Sequence, residues 1–396
     1  MVDPAVRQTA QSSAVTSFEK VKRNYERLPY PGADPRIVEG KGGSLPPLRW
    51  TQGLGRPGQP KPERVLVAGC GTGAEAFVIR RHLPKAEIVA VDFSPRSIAV
   101  AHRLQRAAKL ARPITFAVAD LTDPELPAKL GDGFDLITCH GVLSYIPEPA
   151  KALENFAAVL RPGGALYLGV NGESHPALRL RAWLAGFGLD VETLSEERRL
   201  REVLKIWDAL HDDDLQGFAS MSPSYLASDV CGSHFNNWPL ARWRTLANQS
   251  GWELAGSWLL PLALRLLMTD DTHRSLFPAG LGELAERLDQ ARPAGFHKLL
   301  LRRAEPPVRT SEQALRWTGI YSPRFLKPTA AGRIPVVLHS SLFNLSQDWS
   351  LTSRQAEALR ELVAAGVTPK GWLTKWGRSE AARRILWLWA GFGAVA

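Results

Sequence analysis

The stretch Arg64-Val65-Leu66-Val67-Ala68-Gly69-Cys70-Gly71-Thr72-Gly73 decides the fold. Its first half is a short apolar run rich in β-branched residues, which reads as a strand buried on both faces of a parallel sheet. Its second half sets glycine at every other position, where positive φ and close approach of a ligand to the backbone carry little steric cost. Ala74 to His82 follows as a helix closed by Pro84. The unpaired N–H groups at such a helix start favour an anionic or carboxylate-bearing ligand.

Working outward, the same alternation repeats. Ile88 to Val91 is a second apolar strand ending at Asp92, and Ser94-Pro95 opens the next helix with a cap and a proline at its first position, running to about Leu110. Ile114 to Val118, Phe134 to Cys139 and Ala165 to Val170 read as three more strands, with a helix over Ala150 to Leu160 stopped by Arg161-Pro162-Gly163-Gly164. Strands and helices alternating at this spacing imply βαβ units and a doubly wound, Rossmann-like α/β sheet. Ligands of such sheets bind at the carboxyl ends of the strands. Trp252 to Leu260 and Phe296 to Arg302, with a helix over Leu281 to Ala291, would complete seven strands.

The residues just after each strand carry the chemistry. Asp92 can accept hydrogen bonds from both hydroxyls of a ribose, or it can cap the Ser94 helix. Asp120 can meet the exocyclic amine of an adenine, with Phe93 and Leu121 as apolar contacts to the ring, or it can cap a loop. His140 ends the fourth strand. Its imidazole suits a general base at neutral pH, a ligand contact, or a hydrogen-bonded structural role. His234, Asn236, Asn237 and Trp238 lie together in an irregular stretch over Ser220 to Trp238, where they could orient a polar acceptor or bond their own loop. Asp212, Asp213 and Asp214 lack partners at ligand spacing, so no metal is expected.

Five segments in order resemble the motifs of class I S-adenosylmethionine-dependent methyltransferases. They are Val65 to Gly73, Val91-Asp92-Phe93-Ser94, Ala119-Asp120-Leu121, Phe134 to Leu143, and Leu160-Arg161-Pro162-Gly163-Gly164. The resemblance implies S-adenosyl-L-methionine as cofactor. Gly69, Cys70, Gly71, Thr72, Gly73, Asp92, Phe93, Asp120, Leu121 and His140 would contact it. One departure stands out: the family usually places Glu or Asp where this chain has Ala68. His140-Gly141-Val142-Leu143-Ser144-Tyr145 also differs from the Asp/Asn-Pro-Pro-Tyr/Phe of adenine and glutamine amino methyltransferases. Asn24-Tyr25-Glu26-Arg27-Leu28-Pro29-Tyr30-Pro31 is similar to the Tyr-x-x-x-Pro-Tyr-Pro element of bacterial methyltransferases with a regulatory region, among them protein-lysine methyltransferases of the rickettsial type. That likeness makes Tyr25 and Tyr30 a lid. Tyr145 joins them on the lid or substrate side, and His140 and His234 are the catalytic candidates.

The expected organisation is a lid segment over residues 1–62, a methyltransferase domain over 63–304 with a helical cap at 173–240, and a basic C-terminal domain over 305–396, helical or winged-helix in kind. Composition fits an ordinary globular chain: 45% of its 396 residues are hydrophobic and 22% charged, which excludes low-complexity and collagen-like classes. Cys70, Cys139 and Cys231 form no CxxC pair, and no basic stretch precedes an apolar run at the N-terminus. A reducing, cytoplasmic setting without a membrane span is therefore expected. The formal net charge is +10, and residues 306–396 hold 12 Lys or Arg against 5 Asp or Glu. That excess suits an acidic partner or a solvated face. With no RNA-binding motif beside it, nucleic acid ranks below a protein, peptide or small-molecule acceptor. A homodimer is a further expectation. Three functions stay open: transfer to a protein or peptide side chain, transfer to a small metabolite, and a cofactor-binding scaffold without transfer.

Overall fold

Apolar strands flanked by turn residues bury best in the middle of a sheet, and that is where the first one lies. A computed structural model of the chain describes residues 19–34, 36, 38, 62–186, 197–210, 217–232, 234–257, 281–303, 322–340, 345–365, 371, 374 and 375. After a helix α1 over residues 19–27, β1 (Arg64–Ala68), β2 (Glu87–Asp92), β3 (Thr115–Val118), β4 (Phe134–His140) and β5 (Leu160–Asn171) form a parallel array. β6 (Trp252–Ser257) and β7 (Phe296–Arg303) pair antiparallel. The seven strands run in the order β3-β2-β1-β4-β5-β7-β6. β1 pairs with β2 on one side and β4 on the other, so the order reverses at β1/β4, the switch point where open α/β sheets leave a crevice.

The helices follow from local chemistry. α2 (Ala74–His82) begins at Gly73, whose φ of 94° needs glycine, and no side chain caps it. α3 (Pro95–Ala108) is capped by Ser94, whose Oγ accepts from the Ser97 N–H at 3.0 Å. α4 (Leu126–Leu130) was not expected from the sequence; it is a single turn or so. α5 (Pro149–Val159) precedes β5, and β5 starts five residues before the expected Ala165. The Arg161-Pro162-Gly163-Gly164 turn is absorbed as an irregularity, with Leu160 already paired to Phe134 before the register shifts.

The described residues fall into two compact units. The first takes the described residues up to Gly251 with Arg292–His297. It includes the cap: α6 (Pro176–Ala185), α7 (Glu197–Leu210) and a helical turn Pro223–Tyr225 that widens into a π-type segment Leu226–Val230. Leu180, Leu184, Leu204, Trp207, Leu226 and Val230 bury against one another as the cap's own core. The stretch Ser220 to Trp238, expected to be irregular, is thus helical over Pro223–Val230. Ser222-Pro223 carries the same cap-plus-proline signature as Ser94-Pro95, and Ser222 Oγ accepts from Tyr225 N–H at 3.1 Å. α8 (Leu240–Gln249) completes this unit.

The second unit holds β6, α9 (Leu281–Ala291), most of β7, and a three-stranded antiparallel sheet of β8 (Ser322–Phe325), β9 (Ile334–Ser340) and β10 (Leu345–Leu351) with α10 (Ser353–Ala365). Ile334, Val336, Leu351, Ala356, Leu359 and Leu362 are buried there. Among the described residues after Arg303 this region shows three strands and α10. Only Ile334 to Leu338 read as a strand, because Ser, Gln and Asp break the apolar alternation of Leu345–Leu351 while β9 supplies its hydrogen-bond partners. The Asp212 to Asp214 triplet lies outside the described residues, as do Glu305-Pro306-Pro307, whose prolines read as a linker, and Ser379 to Leu388, which reads as a helix.

Candidate active site

The glycine turn after β1 is held from three sides. Gly69 and Cys70 N–H both donate to Val91 O, at 2.8 and 2.9 Å. Gly71 N–H donates to Asp92 Oδ2 at 2.9 Å, while Asp92 Oδ1 accepts from Ser94 N–H at 2.9 Å. Thr72 N–H donates to Tyr30 O at 2.9 Å. The Tyr-Pro segment after α1 therefore straps onto the turn itself. The glycines make this possible: a Cβ on Gly71 would stand 2.2 Å from Tyr30 O, and one on Gly69 would stand 2.3 Å from the Val142 side chain. Further anchors hold the strap: Tyr25 meets Phe93 edge-on at 5.7 Å, Lys22 Nζ is 3.6 Å from Asp120 Oδ2, and Ser224 Oγ donates to Pro31 O at 3.3 Å.

One cavity of about 450 Å³ opens beside this turn. Eleven of the sequence-selected residues line it: Gly69, Cys70, Gly71, Asp92, Phe93, Asp120, Leu121, His140, Tyr145, Tyr25 and Tyr30. Thr72 and Gly73 lie in the turn behind that lining, where Thr72 is buried and Gly73 N–H donates to Cys70 O at 2.9 Å. Burial raises the Asp92 carboxyl, and the N–H groups of Ser94 and Gly71 pull it partly back. Asp120 Oδ1 accepts from the N–H and hydroxyl of Thr122 at 2.9 and 2.7 Å. His140 Nδ1 shares a 2.9 Å hydrogen bond with the Tyr167 hydroxyl, and its ring lies between Tyr167 and Phe296, with centroids at 5.6 and 5.1 Å. Gly169 leaves room for that ring, since a Cβ there would stand 2.7 Å from Nδ1.

The candidates at 234–238 sit elsewhere. Asn236 is buried and is an internal staple: its amide donates to Leu143 O at 3.1 Å and Ile146 O at 2.7 Å, and its N–H donates to Ser144 O at 2.6 Å. Trp238 packs on Trp243 at 4.5 Å with the Arg242 guanidinium 3.9 Å over its ring. His234 is depressed by burial, offset in part by hydrogen bonding to Asn236 and Ile146. Asn237 Oδ1 is buried and finds no partner. None of the four lines the cavity. The cap reaches the cavity instead through Tyr225 at the end of the helical turn and through Ser228 and Asp229 of the π-type segment, none of them a candidate from the sequence. Asp229, the one acid within Leu226-Ala227-Ser228-Asp229-Val230, was the available signal. Glu75 and His175 also line it. Burial pushes Glu75 up to about 7, against a lowering contact from the Thr138 hydroxyl, and pushes His175 down to about 4. Among the described residues no cluster of His, Cys, Asp and Glu could hold a metal ion, and no helix is long and apolar enough to cross a membrane.

Comparison with known proteins bears on the turn and sheet. Residues 66–166 match the methyltransferase domain family. An uncharacterized protein of Synechococcus sp. is 38% identical over 120 residues, covering 30% of this chain and 27% of that protein. The ubiquinone biosynthesis O-methyltransferase of Xanthomonas axonopodis pv. citri is 31% identical over 112 residues, 28% of this chain and 44% of the enzyme. The match thus spans less than half the length of these curated relatives. The structure of PKMT2 from Rickettsia typhi in complex with AdoHcy superposes with a TM-score of 0.52 at 15% identity, covering 89% of this chain and 75% of that one. Strand order, family match and superposition agree that the chain has the Rossmann-like methyltransferase fold.

Proposed function

We propose that this chain transfers a methyl group from S-adenosylmethionine to a nucleophile, and that the acceptor is a protein or peptide side chain. The observation that carries the first part is the gathering of the glycine turn, Asp92, Asp120 and His140 around one cavity at the carboxyl ends of β1 to β4. Its volume of about 450 Å³ falls in the range of small-molecule sites.

The residues present fit the cofactor. Gly69 and Gly71 line the cavity with bare backbone, and the absence of a Cβ lets Val142 and Tyr30 close in behind them. Asp92 spends one hydrogen bond per oxygen on the protein, and each carboxylate oxygen keeps a further lone pair for ribose hydroxyls. Asp120, Leu121 and Phe93 would take the adenine. The N-terminus of α2, uncapped by any side chain, suits the carboxylate of the amino-acid end. When bound, the cofactor supplies an electrophilic methyl on a sulfonium. The protein's own work is to hold the acceptor in line with it and to exclude water. His140, held between Tyr167 and Phe296, would serve as a cofactor contact or as a base.

The docked Tyr25/Tyr30 strap and the basic charge of residues 306–396 support a protein acceptor. The O-methyltransferase names among the relatives support a small metabolite. Calorimetry with S-adenosylmethionine tests the shared premise, and absence of binding would refute it. Tritiated methyl incorporation into a fractionated lysate separates the acceptors: label in protein is expected, and label only in small molecules would replace the protein reading with the metabolite one. Tight binding with no label in either fraction would leave a scaffold.

A further inference from the structure

The cavity has a second wall that the cofactor assignment does not use. On the cap side, Tyr225 ends the helical turn, the π-type segment presents Ser228 and Asp229, and the 3-10 turn Leu143–Tyr145 after β4 presents Tyr145. π-type turns are rare and concentrate at functional sites. Here the widened turn keeps Leu226 and Val230 in the cap core while Asp229 faces the cavity. The Asp229 carboxylate accepts from the Tyr145 hydroxyl at 2.5 Å and from Ser228 Oγ at 2.6 Å. Both donors are neutral, and no Lys, Arg or His pairs with Asp229 among the described residues. Tyr25 and Tyr30 from the strap line the same space, and burial above all, with the Asp229 charge adding to it, raises their hydroxyls and that of Tyr225.

We propose that Asp229, Tyr145, Tyr225, Tyr25 and Tyr30 form the acceptor subsite, and that it takes an aliphatic amine in its cationic form. This rests on the methyl-transfer reading above. A half-buried carboxylate without a cation is costly unless a ligand brings one. Tyrosine faces attract a cation and disfavour a phenolate. The chemistry then closes. The ammonium gives one proton to the Asp229 carboxylate, and its freed lone pair forms the new C–N bond. The S–CH3 bond breaks, with its electron pair left on sulfur, and the methylated nitrogen carries the positive charge. Burial raises the Asp229 acid, which favours its taking the proton.

The test is calorimetry on the full chain, with and without S-adenosylhomocysteine, using N-acetyl-lysine amide, butylamine and catechol as probes. Both amines are expected to bind at least about tenfold more tightly than catechol. A preference for N-acetyl-lysine amide assigns a peptide source, and a preference for butylamine a free amine. Asp229→Asn keeps an acceptor for Tyr145 but loses the charge. It is expected to weaken both amines at least about tenfold while S-adenosylhomocysteine binds within about twofold of wild type. These fold-changes are those of losing one charge-assisted contact. If Asp229→Asn does not fold, Tyr225→Leu takes its place, with amine binding expected to fall at least about threefold from lost cation–π contact. Catechol binding as tightly as the amines, or amine binding unchanged in the folded variant, overturns the proposal. So does a variant that loses S-adenosylmethionine but not S-adenosylhomocysteine, because that assigns the carboxylate to the sulfonium. A wild-type chain that binds amines through Asp229 but neither cofactor form would refute the methyl-transfer reading alone.

Discussion

Replacing Gly71 by alanine tests how the strap and the glycine turn depend on each other. Gly71 has φ +53°, and its added Cβ would meet Tyr30 O at 2.2 Å and Tyr30 C at 3.3 Å. Both are backbone atoms, so no rotamer can relieve the contact. Tyr30 O must retreat by about 1 Å to reach ordinary separation, which breaks the Thr72 N–H to Tyr30 O bond of 2.9 Å. The left-handed backbone costs alanine about 1–2 kcal/mol, and the lost hydrogen bond adds about 1 kcal/mol. Gly163→Ala is the control, since Gly163 also has positive φ (+78°) but nothing within 4 Å of a Cβ. Urea unfolding should show Gly163→Ala losing only the backbone contribution and Gly71→Ala about 1 kcal/mol more. Hydrogen exchange at the Thr72 amide should quicken roughly fivefold or more in Gly71→Ala and stay as in wild type in Gly163→Ala. Equal Thr72 protection in the two variants would refute the reasoning, for it would mean the strap does not hold the turn.

Three other perturbations have defined outcomes. Asp92→Ala should weaken S-adenosylmethionine by at least about tenfold in calorimetry, and an analogue lacking both ribose hydroxyls should be affected much less; equal losses would assign Asp92 only to bracing Gly71 and Ser94. Glu75 is near 7 in the folded chain against its usual 4.5, so the unfolded chain ionises first and stability falls as pH rises from about 4.5 to about 7. Glu75→Gln should abolish that slope, gaining up to about 3 kcal/mol over wild type between pH 4.5 and 8 in urea midpoints, and parallel pH profiles would contradict it. Asn236→Ala leaves Leu143 O and Ile146 O without their buried donor. It should cost about 1–3 kcal/mol with S-adenosylmethionine affinity nearly unchanged, whereas a lost acceptor with full stability would return Asn236 to a substrate role.

The side of the cavity formed by the glycine turn was readable in the sequence because local backbone geometry dictates it. Gly69 and Gly71 answer to positive φ and close contacts, and Asp92 and Asp120 to strand ends whose position the apolar runs reveal. The cap side was not readable in the same way. Asp229 is 84 residues from its hydrogen-bond partner Tyr145, and only the packing of the cap core brings them together. Asn236 shows the converse. A polar residue type in a loop announces a capacity to hydrogen-bond but not its partner, and three backbone bonds around Ser144 claim it. The helical turn at Pro223–Tyr225 was signalled by Ser222-Pro223, yet the π-type widening after it has no comparable sequence signature.

The strap also redefines where this domain begins. The family match starts at residue 66, yet the Tyr30 carbonyl closes one face of the glycine turn and Tyr25 and Tyr30 wall the cavity. A fragment excised at residue 62 would retain β1 to β5 and every glycine of the turn, but would present Thr72 N–H to solvent and leave the cavity without that wall. Sequence similarity and chemical completeness therefore mark different edges. Residues 19–34 belong to the working unit although no strand of the sheet passes through them.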